Sequence, residues 1–180
     1  MDEAQVIILP GKDLSKNDIE TINKARLEKF GSTAIINPQS DNEDWTKIYF
    51  LAKNENRLVA FGRLHDVKVI FKNEIYDIFG IATVASIEKG KGYGKMLMTA
   101  MQNYIQKKGK TGLGFCNKAI TPFYEKCNLG VIVKGQKRFY HPTSPRFHNS
   151  DVIYVAGKDN LIEKMLQHPS EIAKISRPHW

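Results

Sequence analysis

The chain has 180 residues, 42% of them hydrophobic, which is enough to bury one sizeable core and short for two, so a single domain over 1–180 is expected. Its apolar runs fall far below the roughly 20 residues of a membrane span, and its opening MDEAQVIILP has acids where a secretory leader has bases. The composition therefore speaks against a membrane span or a membrane partner and predicts a soluble cytoplasmic protein.

The formal charge of +8 is unevenly spread: residues 1–90 hold 12 basic against 14 acidic side chains, a net of −2, and residues 91–180 hold 15 against 5, a net of +10. A positive half attracts a nucleic acid, an anionic surface or a phosphorylated small molecule, and charge alone does not choose among them. Cys116 and Cys127 lack CxxC or Cys/His spacing, and two cysteines are too few for a stapled secreted domain. Both are read as reduced thiols, and no metal is expected.

In chain order, VIILP reads as a first strand. The segment DLSKNDIETINKARLEKFG then has Ser15 as helix N-cap, Asp18 three residues on, apolar Ile19, Ile22 and Phe30, and Gly31 as a stop. IYFLAK, RLVAFGRLHDVKVI and EIYDIFGIATVAS are rich in β-branched and aromatic residues, parted by NEN and FKN, and predict an antiparallel meander. From Tyr93 to Lys108, residues Met96, Leu97, Ala100, Met101, Tyr104 and Ile105 recur at helical spacing, and Gly109 closes the segment. GLGFCN is a strand, TPFYEKCN a short helix with proline in its first turn, and VIVKG and DVIYVAG are the last two strands. A helix near NLIEKMLQ precedes a polar tail, residues 159–180 together. The expected fold is α/β with a mixed central sheet of about seven strands flanked by helices.

The stretch SIEKGKGYGKMLM places Gly90, Gly92 and Gly94 on alternate positions where a strand gives way to a helix. A Rossmann fingerprint fails, because Lys95 or Leu97 stands where its third glycine belongs, and a Walker loop fails in both spacing and the Met96 that follows Lys95. What remains is a run of unobstructed amides leading into a helix N-terminus, an arrangement suited to a pyrophosphate, with Lys89, Lys91 and Lys95 adding charge.

These residues resemble a known family. VASIEKGKGYGKML is similar to motif A of the GNAT-type N-acetyltransferases: Arg or Gln, two residues, then Gly-x-Gly or Gly-x-Ala. Lys89, Gly92 and Gly94 occupy those positions, Lys89 departing from the usual residue. Downstream, Asn117 and Tyr124 match an asparagine closing the fifth strand and a tyrosine seven residues later. FYEKCNLG resembles the segment after that strand, with Asn128 replacing a glycine, a change that a left-handed residue tolerates. By element order the resemblance covers about residues 48–157, and its specific part is 82–129.

The resemblance implies the GNAT-like fold and acetyl-CoA as co-substrate. The amides from Gly90 through Lys91, Gly92, Tyr93 and Gly94 to Lys95 would take the pyrophosphate. Backbone groups of Ala82, Thr83 and Val84, on a fourth strand that bulges away from the fifth, would take the pantetheine arm, with Asn117 bracing it from opposite. A strand amide near the thioester carbonyl would stabilise its oxyanion. Tyr124 would protonate the departing thiolate. In relatives a glutamate on the fourth or fifth strand deprotonates the amine, but the corresponding positions are Ile78, Gly80 and Gly112, Asp77 alternates to the other face, and His65 reads as structural. The base stays unassigned.

The acceptor is expected between the loops NPQSDNEDW and FYHPTSPRFHNS. Asp41, Glu43 and Asp44 suit a cationic amine, and His141, Arg146 and His148 an anionic one. The reading is an acetyl-CoA-dependent N-acetyltransferase acting on a small-molecule or peptide amine, with a homodimer left open. A catalytically idle acyl-CoA-binding module of the same fold, and a basic nucleic-acid-binding protein, are the alternatives. The second is weakened by the lack of interleaved aromatics or a recognition-helix motif.

Overall fold

A computed structural model describes residues 4–31, 35–37, 42–143 and 149–178. In chain order the elements are β1 (Gln5–Pro10), α1 (Lys16–Phe30), α2 (Asn42–Thr46), β2 (Ile48–Asn54), β3 (Arg57–Phe71), β4 (Glu74–Ser86), α3 (Tyr93–Lys108), β5 (Gly112–Cys116), α4 (Thr121–Lys126), β6 (Gly130–Ile132), β7 (Phe139–Tyr140), β8 (Asp151–Val155), α5 (Leu161–Gln167) and β9 (Ala173–Ile175). The strands form one mixed, nine-stranded sheet whose main path is β1-β2-β3-β4-β5-β8-β6, with β9 bonded to β3 and β7. The class is α/β.

Local chemistry explains the elements. Ser15 caps α1 by accepting from the Asp18 N–H at 3.1 Å while its own hydroxyl donates to the Asp18 carboxylate at 2.7 Å. Gly31 ends the helix at φ 56°. Two-residue turns with both residues at positive φ, Glu55-Asn56 and Lys72-Asn73, join β2 to β3 and β3 to β4, the primed turns that match strand twist. Gly109 closes α3 at φ 69°, and Asn128 takes φ 62° just after α4, as the substitution for glycine anticipates.

By contacts the chain gathers into two compact units, Met1–Leu64 with Thr83–Met101 and His65–Ala82 with Gln102–Trp180; β3, β4 and α3 each contribute to both. In the first unit β1, β2 and the first part of β3 are antiparallel, and Leu14, Ile22, Ala25, Tyr49, Leu51, Phe61 and Ala85 form a core beneath α1. Gly62 allows close approach here, since a Cβ on it would lie 3.0 Å from the Met101 sulfur and 3.4 Å from both Leu97 and Val84. In the second unit β5 runs parallel to β4 and antiparallel to β8, and Val69, Phe71, Ile78, Leu113, Phe139, Val152, Leu161 and Met165 form its core.

Among the described residues the strand count is nine rather than about seven. The tail read as polar contains β9, whose Ala173 and Ile175 are buried and which pairs with Val69 and Ile70 of β3 and with β7. Three residues are too few for alternation to register. VIVKG is strand only to Ile132: Lys134 turns to φ 52°, its N–H bonded to the Asp151 carboxylate at 2.7 Å, and a 3-10 turn follows over Gly135–Arg138.

Asp159 holds the second unit's own frame. Its carboxylate accepts from the N–H and hydroxyl of fully buried Thr111, at 2.7 and 2.5 Å, and from the Leu161 N–H at 3.2 Å, tying the start of β5 to the start of α5. Asp159→Ala should therefore lower unfolding free energy by about 1–3 kcal/mol, the cost of stranding buried donors, measured by urea denaturation.

Candidate functional site

The glycine loop lies in the first unit. β4 ends at Ser86, the chain bends through 87–92, and α3 opens at Tyr93. Ser86 donates its hydroxyl to the Glu88 carbonyl at 2.5 Å, the Ile87 N–H bonds the Val59 carbonyl at 2.8 Å, and Glu88 pairs with Arg57 at 2.6 Å, so the loop is anchored on its strand side. Gly90 and Gly92 take φ 76° and 79°, a region that costs any side-chain-bearing residue strain, and a Cβ built on either would meet nothing within 4 Å. The glycines are thus required by backbone conformation, and the space above them is open.

The Gly92 carbonyl accepts the Met96 N–H at 3.1 Å, which makes Gly92 the N-cap of α3. The first amides of the helix, at Tyr93, Gly94 and Lys95, precede any intrahelical acceptor and carry the positive end of the helix dipole. Lys89, Lys91 and Lys95 are all exposed, and the Tyr93 hydroxyl accepts from Asn54 Nδ2 at 3.2 Å. The assembly can hold an anion by backbone N–H groups, with mobile ammonium charge around it.

Thr83 and Val84 belong to the same unit. Thr83 sits at φ 54° inside β4, an uncommon conformation for a β-branched residue, and breaks the extended run of the strand. Its hydroxyl accepts a 3.5 Å bond from Arg26 Nη1 of α1.

Ala82, Asn117 and Tyr124 lie in the second unit. Its parallel β4–β5 ladder consists of Phe79↔Gly112 and Gly80↔Leu113, so Ala82 stands beyond the last pair. Asn117 is exposed, and its side-chain oxygen accepts from the Ala119 N–H at 3.0 Å, a turn-forming bond that uses its carbonyl oxygen. Tyr124, on α4, is 8% exposed and packs edge-on against Phe123, centroids 5.1 Å apart. Burial above all, and the nearby Cys116 and Cys127 thiols, push its phenol well above the ordinary tyrosine range. Cys116 and Cys127 are both buried thiols, and the Cys116 sulfur lies 3.5 Å from the Thr121 hydroxyl, which donates to Asp151 at 2.6 Å.

The acceptor loops are only partly described. Asp41, Arg146 and His148 lie outside the described residues, as does the Glu43 side chain. The His141 ring nitrogen bonds the Thr143 hydroxyl at 2.9 Å. Asp44, read from sequence as a carboxylate for a cationic amine, is instead 4% exposed and engaged by Lys47 at 2.5 Å and Arg63 at 3.2 Å. Those cations were not singled out in the sequence, although Arg26 falling on the face of α1 that buries Ile22 and Ala25 is a signal that could have found part of the group. Among the described residues no cluster of His, Cys, Asp or Glu suits a metal ion, and no helix is long and apolar enough to cross a membrane.

Comparison with known proteins decides the family. Residues 18–129 match the model of the acetyltransferase (GNAT) family. The chain belongs to that family. The match begins within α1, well before the span expected from element order, and ends at Leu129. No curated protein matches it as a relative. Among solved structures, Escherichia coli ElaA is 16% identical, with TM-score 0.58 over 84% of this chain and 98% of that one. The E. coli GNAT N-acetyltransferase YhbS, in complex with CoA, is 12% identical with TM-score 0.58 over 97% and 91%. The CoA-dependent acyl-homoserine lactone synthase BjaI, with SAM and isopentyl-CoA, is 12% identical with TM-score 0.59 over 99% and 96%. These likenesses establish the GNAT fold, and the family to which the chain belongs is one of acyltransferases.

The Tyr124 phenol sets a pH limit on the fold. Its raised value means that the neutral form is favoured by the native state, so the stabilisation is whole below the ordinary tyrosine value of about 10 and is lost as pH rises beyond it. Urea unfolding followed from pH 8 to 11 should show a fall at the alkaline end that is smaller in Tyr124→Phe.

Proposed function

We propose that this GNAT protein transfers an acetyl group from acetyl-CoA to a primary amine of a small molecule or peptide, by direct attack within a ternary complex. The observation that carries the reading is the loop at Gly90 and Gly92, held at left-handed φ, open above, and running straight into the N-terminus of a 16-residue helix. The amides from Gly90 to Lys95 take the pyrophosphate, with the loop lysines compensating its charge. Backbone groups of Ala82, Thr83 and Val84 align the pantetheine arm, and Asn117 braces it.

The amine nitrogen attacks the thioester carbon, the oxyanion is met by a strand amide, and the C–S bond breaks as the tetrahedral intermediate collapses. Tyr124 gives its proton to the departing sulfur and recovers it from the solvent; burial keeps the phenol protonated in the resting site but makes it a weaker acid, so the transfer depends on the thiolate that forms beside it. The positions where relatives carry a basic glutamate hold Ile78, Gly80 and Gly112, so the amine loses its proton to water or arrives neutral. The same apolar positions favour a second reading, a CoA-binding module without turnover. The protein is proposed to act in the cytoplasm, with no role for nucleic acid.

Calorimetry with CoA tests the cradle. Gly92→Val imposes a β-branched residue at φ 79° and should weaken CoA binding by about 1–2 kcal/mol or more, roughly tenfold upward, in a protein whose far-UV spectrum is unchanged. Wild-type affinity in the folded variant would contradict it.

Turnover tests the acid. Tyr124→Phe retains the ring and should lower kcat about 10²-fold or more on a good amine while leaving CoA affinity nearly unchanged. If kcat holds with chemistry rate-limiting, the phenol is a packing group. Thiol release absent with every amine tried, alongside normal CoA binding, would select the non-catalytic module.

A further inference from the structure

The first unit buries more positive than negative charge beside Thr83. Arg26 of α1 is 9% exposed, Lys47 8%, and the Arg63 side chain of β3 12%, yet among the described residues Asp44 is the carboxylate that Lys47 and Arg63 share, and buried Asp18 is taken by Lys53. Asp44 Oδ1 already receives Lys47 Nζ at 2.5 Å and Arg63 Nη1 at 3.2 Å, and Arg63 Nη1 also donates to the Tyr49 hydroxyl at 3.3 Å. Arg26 has one described hydrogen bond, the 3.5 Å contact of Nη1 with Thr83. The Nε atoms of both Arg26 and Arg63 are buried and find no hydrogen-bond partner among the described residues.

A buried guanidinium remains charged, since it does not give up its proton in proteins, so its desolvation must be offset by an anion or strong acceptors. Here burial and the neighbouring Arg63 charge both work against the Arg26 cation. A fold selected for stability alone would put a neutral side chain there, or a second carboxylate. The planar fork of arginine instead matches a carboxylate, which two N–H groups can hold in parallel. A dianionic phosphate suits this enclosed place less, because its dehydration costs more, and the exposed, lysine-rimmed loop at 87–95 offers it better solvation.

We propose that Arg26 and Arg63 form a binding site for a carboxylate carried by one of the two reactants. The inference rests on the N-acyltransferase reading, which assigns Thr83 to the pantetheine arm; the contact of Arg26 with Thr83 then sets the anion beside the reacting end of the cofactor. The carboxylate belongs either to an amino-acid acceptor or to the far end of a dicarboxylic acyl-CoA.

Two measurements on the full chain test this. In the first, the arginine Nε–H signals of 15N-labelled protein are followed while the twenty common L-amino acids, their carboxamides, and glutaryl-CoA paired with butyryl-CoA are added. A carboxylate-bearing probe should move the Arg26 and Arg63 signals, and its uncharged twin should bind about 10- to 100-fold more weakly. In the second, thiol release is compared for the same pairs in wild type, Arg26→Gln and Arg26→Lys. Arg26→Gln should bring the ratio within each carboxylate pair close to one, and Arg26→Lys should keep part of it.

Selectivity among amino acids with acetyl-CoA assigns the anion to the acceptor, and selectivity between the two acyl-CoAs assigns it to the donor. Shifted arginine signals without thiol release would sustain the anion site and sink the catalytic reading. Silent arginine signals across the panel, or a carboxylate preference that survives Arg26→Gln, would overturn the proposal. The signal titration uses wild-type protein and stands even where a variant does not fold.

Discussion

A β-branched residue held left-handed inside a strand is the constraint around which the candidate site is arranged. Thr83 at φ 54° costs on the order of 1–3 kcal/mol that its surroundings must supply. Buried Ala85 on the same strand and the α1 core packed around it provide that support. The break falls three residues before the end of β4, where the Thr83 hydroxyl meets Arg26.

The two proposed anion sites would rest on different physics. At the loop, amides of a helix N-terminus and exposed lysines can hold a charge that remains partly in water, where screening is strong and each ammonium counts for little. Beside Thr83 the guanidinium groups are dry, the fixed charge is felt more strongly, and an empty bonding position carries a real penalty. The first arrangement suits a large, multiply charged group found on every molecule of its class. The second suits a single small anion and discriminates against molecules that lack it.

Much of this architecture was legible in the residues. Ser15 with Asp18, Gly31, Gly109 and the β-branched runs of β2, β3 and β4 announce their elements because each signal is local and chemically specific. The glycine loop was legible for the same reason: positive φ at Gly90 and Gly92 leaves a mark in composition. What could not be read depends on partners distant in sequence. β9 is a strand because Ala173 and Ile175 find Phe139 and Val69, not because AKI has a pattern. Asp44 reads in sequence as a carboxylate open to a cationic amine, and only the approach of Lys47, and of Arg63 nineteen residues away, makes it a buried counter-ion. Alternation also misleads along β4, where Ile78 to Ala82 are buried without a break.

The openness above Gly90 and Gly92 bears on how this chain can change over generations. A cradle built from main-chain amides survives the loss of any one of Lys89, Lys91 or Lys95, because those side chains add attraction without supplying the shape. Replacement of either glycine reaches the shape itself, with no neighbouring atom in the way and only the dihedral angle forbidding it. Substitution is thus expected to cost less at the three lysines than at the two glycines.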